Sequence, residues 1–213
     1  MGSVKRSGER KLRSERTNRK KPELGYYLIV TDTEGTERVY FNGLRDSIQN
    51  KIKEKLVLKV IETQNINMLK SVEKIRSEYP QYVEPWLVFD KDENLNFDKL
   101  IKEAKELGIN VAWSNPCIEI WFSAYFGQMP NNSDSKKCCS EFSLKFKKEV
   151  GQEYHKADKN LYAKLVTNGD EKNAIKIAET KFNEHLRNSV NLFSQMVPGT
   201  TVHKLISEIK SKI

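Results

Sequence analysis

Four short apolar segments alternate with helix-like segments along the first 126 residues, and this alternation restricts the possible folds more than any other feature. The apolar segments occupy residues 26–31, 56–61, 85–89 and 109–113. Each is almost continuously apolar, which is typical of strands that are covered on both faces. Strands separated by helices at this spacing form βαβ units with right-handed crossovers. The sequence therefore predicts an α/β fold, an open parallel sheet of about four strands with flanking helices.

The segments that follow these strands carry the start and stop signals of helices. Asn65 and Asn96 are placed to cap two of the helices, and Gly108 supplies the stop for the second. Pro116 suits the first turn of an apolar helix over residues 117–126. These signals indicate helices between and after the predicted strands, where they can cover the sheet.

The second half of the chain has a different pattern. Residues 129–137 form a polar segment that predicts a mobile loop, and the rest of the chain is helical in pattern. An amphipathic segment covers residues 170–190, and residues 202–213 predict a closing helix. We therefore expect three parts, namely a basic arm at 1–22, an α/β domain at 23–128, and a helical region at 129–213 that packs on that domain.

The positive charge of the chain is concentrated in the arm. The whole chain has 37 Lys and Arg against 29 Asp and Glu, a formal net charge of +8. Residues 1–22 contain nine of the basic residues and only two acidic ones, so the arm carries +7 and the other 191 residues carry +1. We expect the arm to bind nucleic-acid phosphates without reading sequence, although such a charge block is also typical of a solvated tail. The residues assigned to this contact are Arg10, Lys11, Arg13, Arg16, Arg19, Lys20 and Lys21.

Composition excludes a membrane protein and a protein stabilised by disulfides. Hydrophobic residues make up 38% of the chain and aromatic residues 9%, which is enough for a core. No apolar segment approaches the roughly 18–20 residues that span a bilayer, and the basic N-terminus lacks the apolar segment of a secretory signal. The cysteines Cys117, Cys138 and Cys139 provide neither a disulfide framework nor a Cys-x-x-Cys motif, and Cys117 is expected to be a small buried residue. We expect a cytoplasmic protein that does not contact a membrane.

Acidic residues follow two of the predicted strands. Asp32 comes directly after the first strand, with Glu34 and Glu37 behind it, and Asp90 and Asp92 come after the third. Ligands bind at the carboxyl ends of the strands in an open parallel sheet, so these acids are expected at one site. Oxygen ligands favour Mg²⁺ or Mn²⁺ over Zn²⁺. The alternative is a solvated turn in which acids favour the start of a helix.

Four motifs, spread over most of residues 24–210, share one resemblance. They are Leu28-Ile29-Val30 followed by an acidic segment and by Thr36-Glu37 and Tyr40-Phe41, then Trp86-Leu87-Val88-Phe89-Asp90-Lys91-Asp92, then Ser114-Asn115-Pro116-Cys117-Ile118-Glu119-Ile120-Trp121, and finally Thr201-Val202-His203-Lys204-Leu205. The third motif is the most distinctive. Together they resemble the RloB-like family, bacterial proteins of phage defence and abortive infection.

This resemblance implies a Toprim-like fold, which is the metal-binding core of topoisomerases, primases and certain nucleases. Toprim domains use a Glu after the first strand and Asp-x-Asp after the third, so Asp90 and Asp92 are expected to bind Mg²⁺ or Mn²⁺. The first acid is Asp32 if the spacing to Thr36 is kept, and Glu34 if the local Glu-Gly pair is aligned instead. We prefer Asp32, as a metal ligand or a proton relay, although it is one methylene shorter than the family's Glu.

Further residues have two interpretations each. Glu119 and Asn115 lie one helical turn apart beside the fourth strand, so both could face the metal. Glu119 is expected to be an additional ligand or an orienting group, the alternative being an acid paired with a Lys of the helical region. Similarity to the family suggests that Lys156 neutralises a phosphate oxygen, while its position also suits a solvated basic helix start. His203 is expected to be structural and His185 to lie at the surface.

The expected function is a divalent-metal-dependent nuclease that acts as an antiphage defence effector. RNA such as tRNA is favoured over DNA as the substrate, by analogy with other Toprim-like defence effectors. The alternative is a catalytically impaired module that binds nucleic acid or a partner defence protein, such as an ATPase. A small-nucleotide sensor is a third possibility, but no glycine-rich phosphate loop supports it. The oligomeric state is not predicted.

Overall fold

A five-stranded sheet with the order β2-β1-β3-β4-β5 is the framework of the protein. The computed structural model describes residues 22–32, 35–64, 67–78, 83–92 and 94–213. The first four strands are parallel to their neighbours, and the short β5 is antiparallel to β4. The strands are β1 (Gly25–Thr31), β2 (Leu56–Glu62), β3 (Val83–Asp90), β4 (Asn110–Asn115) and β5 (Gly199–Thr200). The predicted α/β class with an open, mostly parallel sheet is confirmed.

Nine α-helices surround the sheet in the described part of the chain. They are α1 (Thr36–Ser47), α2 (Asn50–Lys53), α3 (Met68–Glu78), α4 (Phe97–Glu106), α5 (Glu119–Ala124), α6 (Ser135–Val150), α7 (Leu161–Asn168), α8 (Glu171–Arg187) and α9 (Val202–Lys210). A 3₁₀ turn at Phe193–Gln195 precedes β5. The C-terminal part is helical, as predicted, apart from β5.

Local sequence signals explain where the longer helices begin and end. Asp134 caps α6 by accepting a hydrogen bond from the backbone N–H of Lys137 at 3.1 Å, and Asp170 caps α8 in the same way. Gly151 ends α6 with φ at +75°, which a residue without Cβ adopts at no steric cost. Because α6 begins at Ser135, the predicted loop at 129–137 is shorter than expected.

The two faces of the sheet belong to different apolar cores. Tyr27 and Ile29 of β1 face the core made with α1 and the helices from α5 onward. Leu28 and Val30 face the opposite core, which includes α3 and α4. Side chains along a strand alternate between faces, so a strand covered on both sides has apolar residues at every position. This is why the sequence shows continuous apolar runs instead of an alternating pattern.

The order of the strands creates a crevice between β1 and β3. The chain passes from β1 to β2 on one side and then returns to β3 on the other side of β1. Ligands of open α/β sheets bind where this direction changes, outside the carboxyl ends of the strands. Val88 pairs with Thr31 and Ser114 with Asp90, so the ends of β1, β3 and β4 are adjacent. Asp32 and Asp90 therefore stand at this crevice.

Several expectations fall on residues outside the described ranges. These are the arm at 1–21 with its seven assigned basic residues, the alternative first acid Glu34, and the helix cap Asn65. Among the helices that the structure does describe, none is both long and apolar enough to cross a membrane.

A buried network of hydroxyl groups ties α1 to α5 and α8. Trp121 donates its indole N–H to Tyr40 Oη at 3.0 Å, and the Tyr40 and Tyr125 hydroxyls lie 2.7 Å apart. Tyr125 in turn donates to Glu171 Oε1 at 2.9 Å. The Tyr40 hydroxyl therefore accepts from Trp121 and donates to Tyr125, and both contacts depend on this one oxygen.

Replacing Tyr40 with Phe should destabilise the protein by about 1–3 kcal/mol, because the buried Trp121 N–H loses its acceptor. The matched control is Tyr162→Phe, since Tyr162 also donates to Glu171 but leaves that carboxylate bound to Tyr125 and Lys210. Urea unfolding followed by circular dichroism measures both changes. Equal losses in the two variants would contradict the network interpretation.

Candidate functional site

An open cleft of about 1220 Å³ lies at the carboxyl ends of β1, β3 and β4. All five residues that the sequence assigns to chemistry line this cleft, and they come from both halves of the chain. They are Asp32, Asp90, Asp92, Glu119 and Lys156. Their placement brings them to one site, while the role of each stays a prediction.

The end of β3 is held in place by backbone hydrogen bonds. The backbone N–H of Lys91 donates to Ser114 O at 2.8 Å, and that of Asp92 donates to Pro116 O at 2.9 Å. Asp90 Oδ2 accepts a hydrogen bond at 2.9 Å from the backbone N–H of Ile118. The segment from Ser114 to Ile118 thus holds the end of β3 and orients the Asp90 carboxylate.

The second carboxylate oxygen of Asp90 is buried and has no hydrogen-bond partner within the described residues. A buried oxygen without a donor is costly, and a cation is one way of satisfying it. Burial raises the pKa of Asp90 well above its usual range, and the nearby charges of Glu37 and Glu119 raise it further. The hydrogen bond from Ile118 only partly opposes these effects.

Glu37 is a site residue that the sequence reasoning did not assign. It lies in the first turn of α1, is 6% exposed and lines the cleft beside Asp90. Burial raises its pKa to about 7, with smaller contributions from the charges of Glu119 and Asp32. A hydrogen bond to its own backbone acts in the opposite direction. Without a cation, the Glu37 and Asp90 pair therefore holds a proton that two exposed carboxylates would lose.

Gly35 leaves the space that the Glu37 carboxylate occupies. A Cβ atom at position 35 would clash with Glu37 Oε2 and would lie 3.2 Å from the backbone oxygen of Asp32. Any other residue at this position would push the Glu37 carboxylate away from Asp90. Gly35, which directly precedes α1, is thus part of the site.

Asp92 differs from Asp90 in its surroundings. It is exposed, its φ is +25°, and its Oδ1 accepts a hydrogen bond at 2.5 Å from the Ser135 hydroxyl at the start of α6. Asp32 also lines the cleft and is partly exposed. The cleft therefore combines two buried carboxylates, Glu37 and Glu119, with the half-buried Asp90 and the more accessible Asp32 and Asp92.

Glu119, the first residue of α5, is 1% exposed and is held by the helical region. Tyr154 donates its hydroxyl to Glu119 Oε1 at 3.0 Å, and Lys156 Nζ lies 3.6 Å from the same oxygen. The charge of Glu119 is the main cause of the raised pKa of Lys156. Burial, followed by the charge of Glu119, raises the pKa of Tyr154. The pairing of Glu119 with a Lys, one of the two interpretations of the sequence, is thus observed, and the residue still lines the cleft.

Two of the cysteines, Cys117 and Cys139, line the same cleft. Within the described ranges, one set of three His, Cys, Asp or Glu side chains has ligand atoms that all lie within 4.8 Å of one another, namely Cys117, Glu119 and Cys139. This cluster could hold a metal ion. Asp32, Asp90 and Asp92 do not form such a compact set in the structure. Cys117 is buried, as expected from the sequence.

Three other polar residues are structural. Asn115 donates to the backbone oxygens of Phe193 and Ser194 at 3.1 and 2.9 Å, so it holds the 3₁₀ turn instead of facing the cleft. His203 is buried, and burial lowers its pKa to about 4. His185 was expected at the surface, but it is partly buried with Nε2 2.9 Å from Pro198 O.

The fold and the cleft define an α/β protein with an acidic site at the switch point of an open sheet. Comparison with protein-family models matches residues 27–209 to the family described as RloB-like protein. The match covers most of the chain, and the chain belongs to the RloB-like family. Comparison with curated proteins and with solved structures gave no significant match.

The pairing of Glu37 with Asp90 predicts an unusual pH dependence of the stability of the protein when a chelator removes metal ions. The folded pKa of about 7 lies above the ordinary value of 4.5, so the folded protein binds this proton more tightly than the unfolded chain. The free energy of unfolding should therefore decrease as the pH rises from about 4.5 to about 7. We expect the Tm of the EDTA-treated protein to fall across this range, and Glu37→Gln to reduce the fall.

Thermal unfolding at a series of pH values tests this dependence. Glu103→Gln is the control, because it makes the same change at a partly exposed position on α4. It should keep the pH profile of the unchanged protein. If the Tm of Glu37→Gln fell with rising pH by as much as the Tm of the unchanged protein, the assignment of this proton to Glu37 and Asp90 would be contradicted.

Proposed function

We propose that this RloB-like protein is a divalent-metal-dependent nuclease that hydrolyses phosphodiester bonds and acts as an antiphage defence effector in the cytoplasm. The observation that carries the proposal is the buried, unpartnered Oδ1 of Asp90 among the other carboxylates of an open cleft. A cation would satisfy this oxygen and offset the repulsion between the acids.

The donor set suits Mg²⁺ or Mn²⁺. Asp32, Asp90, Asp92 and Glu119 all line the cleft, and all four offer carboxylate oxygens. An ion held by these residues would polarise a phosphate and lower the pKa of a bound water. We assign Asp32 as a ligand or a proton relay.

The residues around the acids have their own parts in the proposed reaction. The Ile118 N–H keeps Asp90 oriented, and Tyr154 keeps Glu119 oriented. Lys156 has a side chain that is 63% exposed, so it can reach a phosphate oxygen at the mouth of the cleft and neutralise its charge. These contacts preorganise the cleft for a phosphodiester before any substrate arrives.

The proposed substrate is RNA, tRNA included, and DNA is the alternative. The cleft is open to solvent, with Lys136 and Lys156 among its lining residues, which suits a polymer backbone better than an enclosed small molecule. The preference for RNA rests on analogy with other Toprim-like defence effectors. We also propose that the protein binds a partner defence protein, such as an ATPase.

Removing the Asp90 charge should abolish cleavage. We expect the unchanged protein to cut RNA, or DNA, when Mn²⁺ or Mg²⁺ is present and not in EDTA. Asp90→Asn should lower the rate by on the order of 100-fold or more, since even changes outside the ligand sphere cost 10- to 100-fold. Gel analysis of labelled RNA and DNA after incubation measures the rates.

The matched control is Asp46→Asn, the same change at an exposed residue of α1 that pairs with Arg45. It should keep full activity. The Asp90→Asn protein should remain folded, because Asn is nearly isosteric and removes one of several repelling charges. Equal metal-dependent cleavage by Asp90→Asn and the unchanged protein would exclude this site as its source.

The arm should strengthen nucleic-acid binding in a salt-dependent way. Each phosphate contact contributes roughly −0.9 to the slope of log affinity against log salt for duplex DNA. We expect Lys20→Ala/Lys21→Ala to weaken binding and make the slope shallower. The control removes two exposed lysines of α4, Lys99 and Lys102, and should leave the slope unchanged. Fluorescence anisotropy over a range of salt concentrations measures both, and identical slopes would exclude a role for these lysines of the arm.

A second candidate is a module that binds nucleic acid or a partner without cutting. The observation in its favour is that Asp92 is held by Ser135 and that the aspartates do not form a compact ligand set. If the protein is such a module, the Asp90→Asn variant and the unchanged protein should bind RNA or DNA equally tightly, and neither should cleave it. The cleavage and binding measurements together distinguish the two candidates.

A further inference from the structure

All three cysteines of the chain meet beside the acidic cleft. Cys117 precedes α5, while Cys138 and Cys139 lie in the first turns of α6. The Sγ atoms of Cys117 and Cys139 lie within 4.8 Å of each other, and the Cys117 thiol donates to Ser135 O in α6 at 3.8 Å. Residues that lie about 20 positions apart in the sequence are thus brought into contact by the packing of α6 against α5.

Two of these thiols form a ligand set with Glu119. The Sγ atoms of Cys117 and Cys139 and a carboxylate oxygen of Glu119 all lie within 4.8 Å of one another. A tetrahedral Zn²⁺ has Zn–S distances of about 2.3 Å and Zn–O distances of about 2.0–2.2 Å, which places its ligand atoms roughly 3.5–3.8 Å apart. Small side-chain adjustments would bring the three atoms to that spacing.

We propose that Cys117, Cys139 and Glu119 form a binding site for a thiophilic divalent cation of the Zn²⁺ type. Thiolate ligands select such ions over Mg²⁺ and Mn²⁺, which prefer oxygen. The site is therefore chemically distinct from the oxygen ligands at Asp90. It needs no residue from outside the described part of the chain.

The surroundings of the three ligands suit an ion. Cys117 and Glu119 are 5% and 1% exposed, so their positions are held by the core, while Cys139 is partly exposed. All three line the cleft, which leaves a coordination position open to solvent. Tyr154 and Lys156 both contact Oε1 of Glu119, so Oε2 can approach the ion without breaking either contact.

The shared ligand makes the two kinds of ion compete. Glu119 belongs to both the thiol set and the proposed oxygen set, so a thiophilic ion would draw it away from an ion at Asp90. Zn²⁺ should therefore inhibit the cleavage supported by Mg²⁺ or Mn²⁺. This consequence rests on the proposed nuclease function, whereas the binding of the thiophilic ion does not.

Cobalt absorption tests the binding directly. Co²⁺ takes the place of Zn²⁺ in thiolate sites and produces a sulfur-to-cobalt charge-transfer band in the near ultraviolet. We expect one Co²⁺ per chain in the reduced full-length protein, with the band removed by one equivalent of Zn²⁺. Cys139→Ser should abolish the band and weaken Zn²⁺ binding by at least 10- to 100-fold, the loss typical of changes outside the ligand sphere.

Cys138→Ser is the matched control, because it removes the neighbouring thiol, which donates to Asn132 O at 3.4 Å and is not one of the three ligands. This variant should keep the band. Cys139 is partly exposed, so its replacement should leave the fold intact, as checked by thermal unfolding. The proposal is overturned if the reduced protein gives no charge-transfer band, or if Cys138→Ser abolishes the band while Cys139→Ser keeps it.

The inhibition experiment is read separately. Zn²⁺ should inhibit metal-dependent cleavage by the unchanged protein and by Cys138→Ser, but much less by Cys139→Ser. If no cleavage is found with any metal, the nuclease proposal fails while the cobalt band still decides the thiol site. If cleavage occurs and Zn²⁺ inhibits all three proteins equally, the competition through Glu119 is wrong.

Discussion

The contact between Glu37 and Asp90 is the constraint around which the cleft is arranged. It places two carboxyl groups in a buried position at the switch point of the sheet, where burial and mutual repulsion both disfavour ionisation. The fold accepts this cost because Asp90 ends β3 between two neighbouring strands and is held by the Ile118 N–H. Gly35 provides the remaining space. A protein without need of a charged ligand would gain stability by replacing either acid with an apolar residue.

The helical region completes this arrangement. Tyr154 and Lys156 hold Glu119, and Ser135 holds Asp92. Phe142 and Phe146 of α6 lie in the same apolar core as Tyr27 of β1. The side chains that the helices contribute to the cleft are therefore positioned by packing on the sheet, and the cleft depends on both halves of the chain.

The sequence predicts the parts of this protein that have local signals. The four long strands begin and end within about two residues of their predicted limits, because a strand covered on both faces is a continuous apolar run. Asp90 and Asp92 could be assigned because they directly follow such a run. β5 has only two residues, Gly199 and Thr200, which is too short for any periodicity to show.

The missed features depend on contacts between distant residues. Glu37 has the sequence pattern of an ordinary acid in the first turn of a helix, and only the return of β3 beside β1 shows that it faces Asp90. The meeting of Cys117 with Cys138 and Cys139 depends on how α6 packs against α5, which no local pattern specifies. His185 was misplaced for the same reason, since its partner Pro198 lies in a later loop.

Glu119 connects these observations. Its charge is buried, and a hydroxyl from Tyr154 and a cation from Lys156 offset the cost of that burial. The same carboxylate lines the cleft with Asp90 and lies within 4.8 Å of two thiols. If both proposed sites bind ions, one carboxylate cannot complete both sets at once, and the ion that held Glu119 would determine which chemistry the cleft could support. The position of this one side chain therefore links the helical region, the acidic crevice and the cysteines.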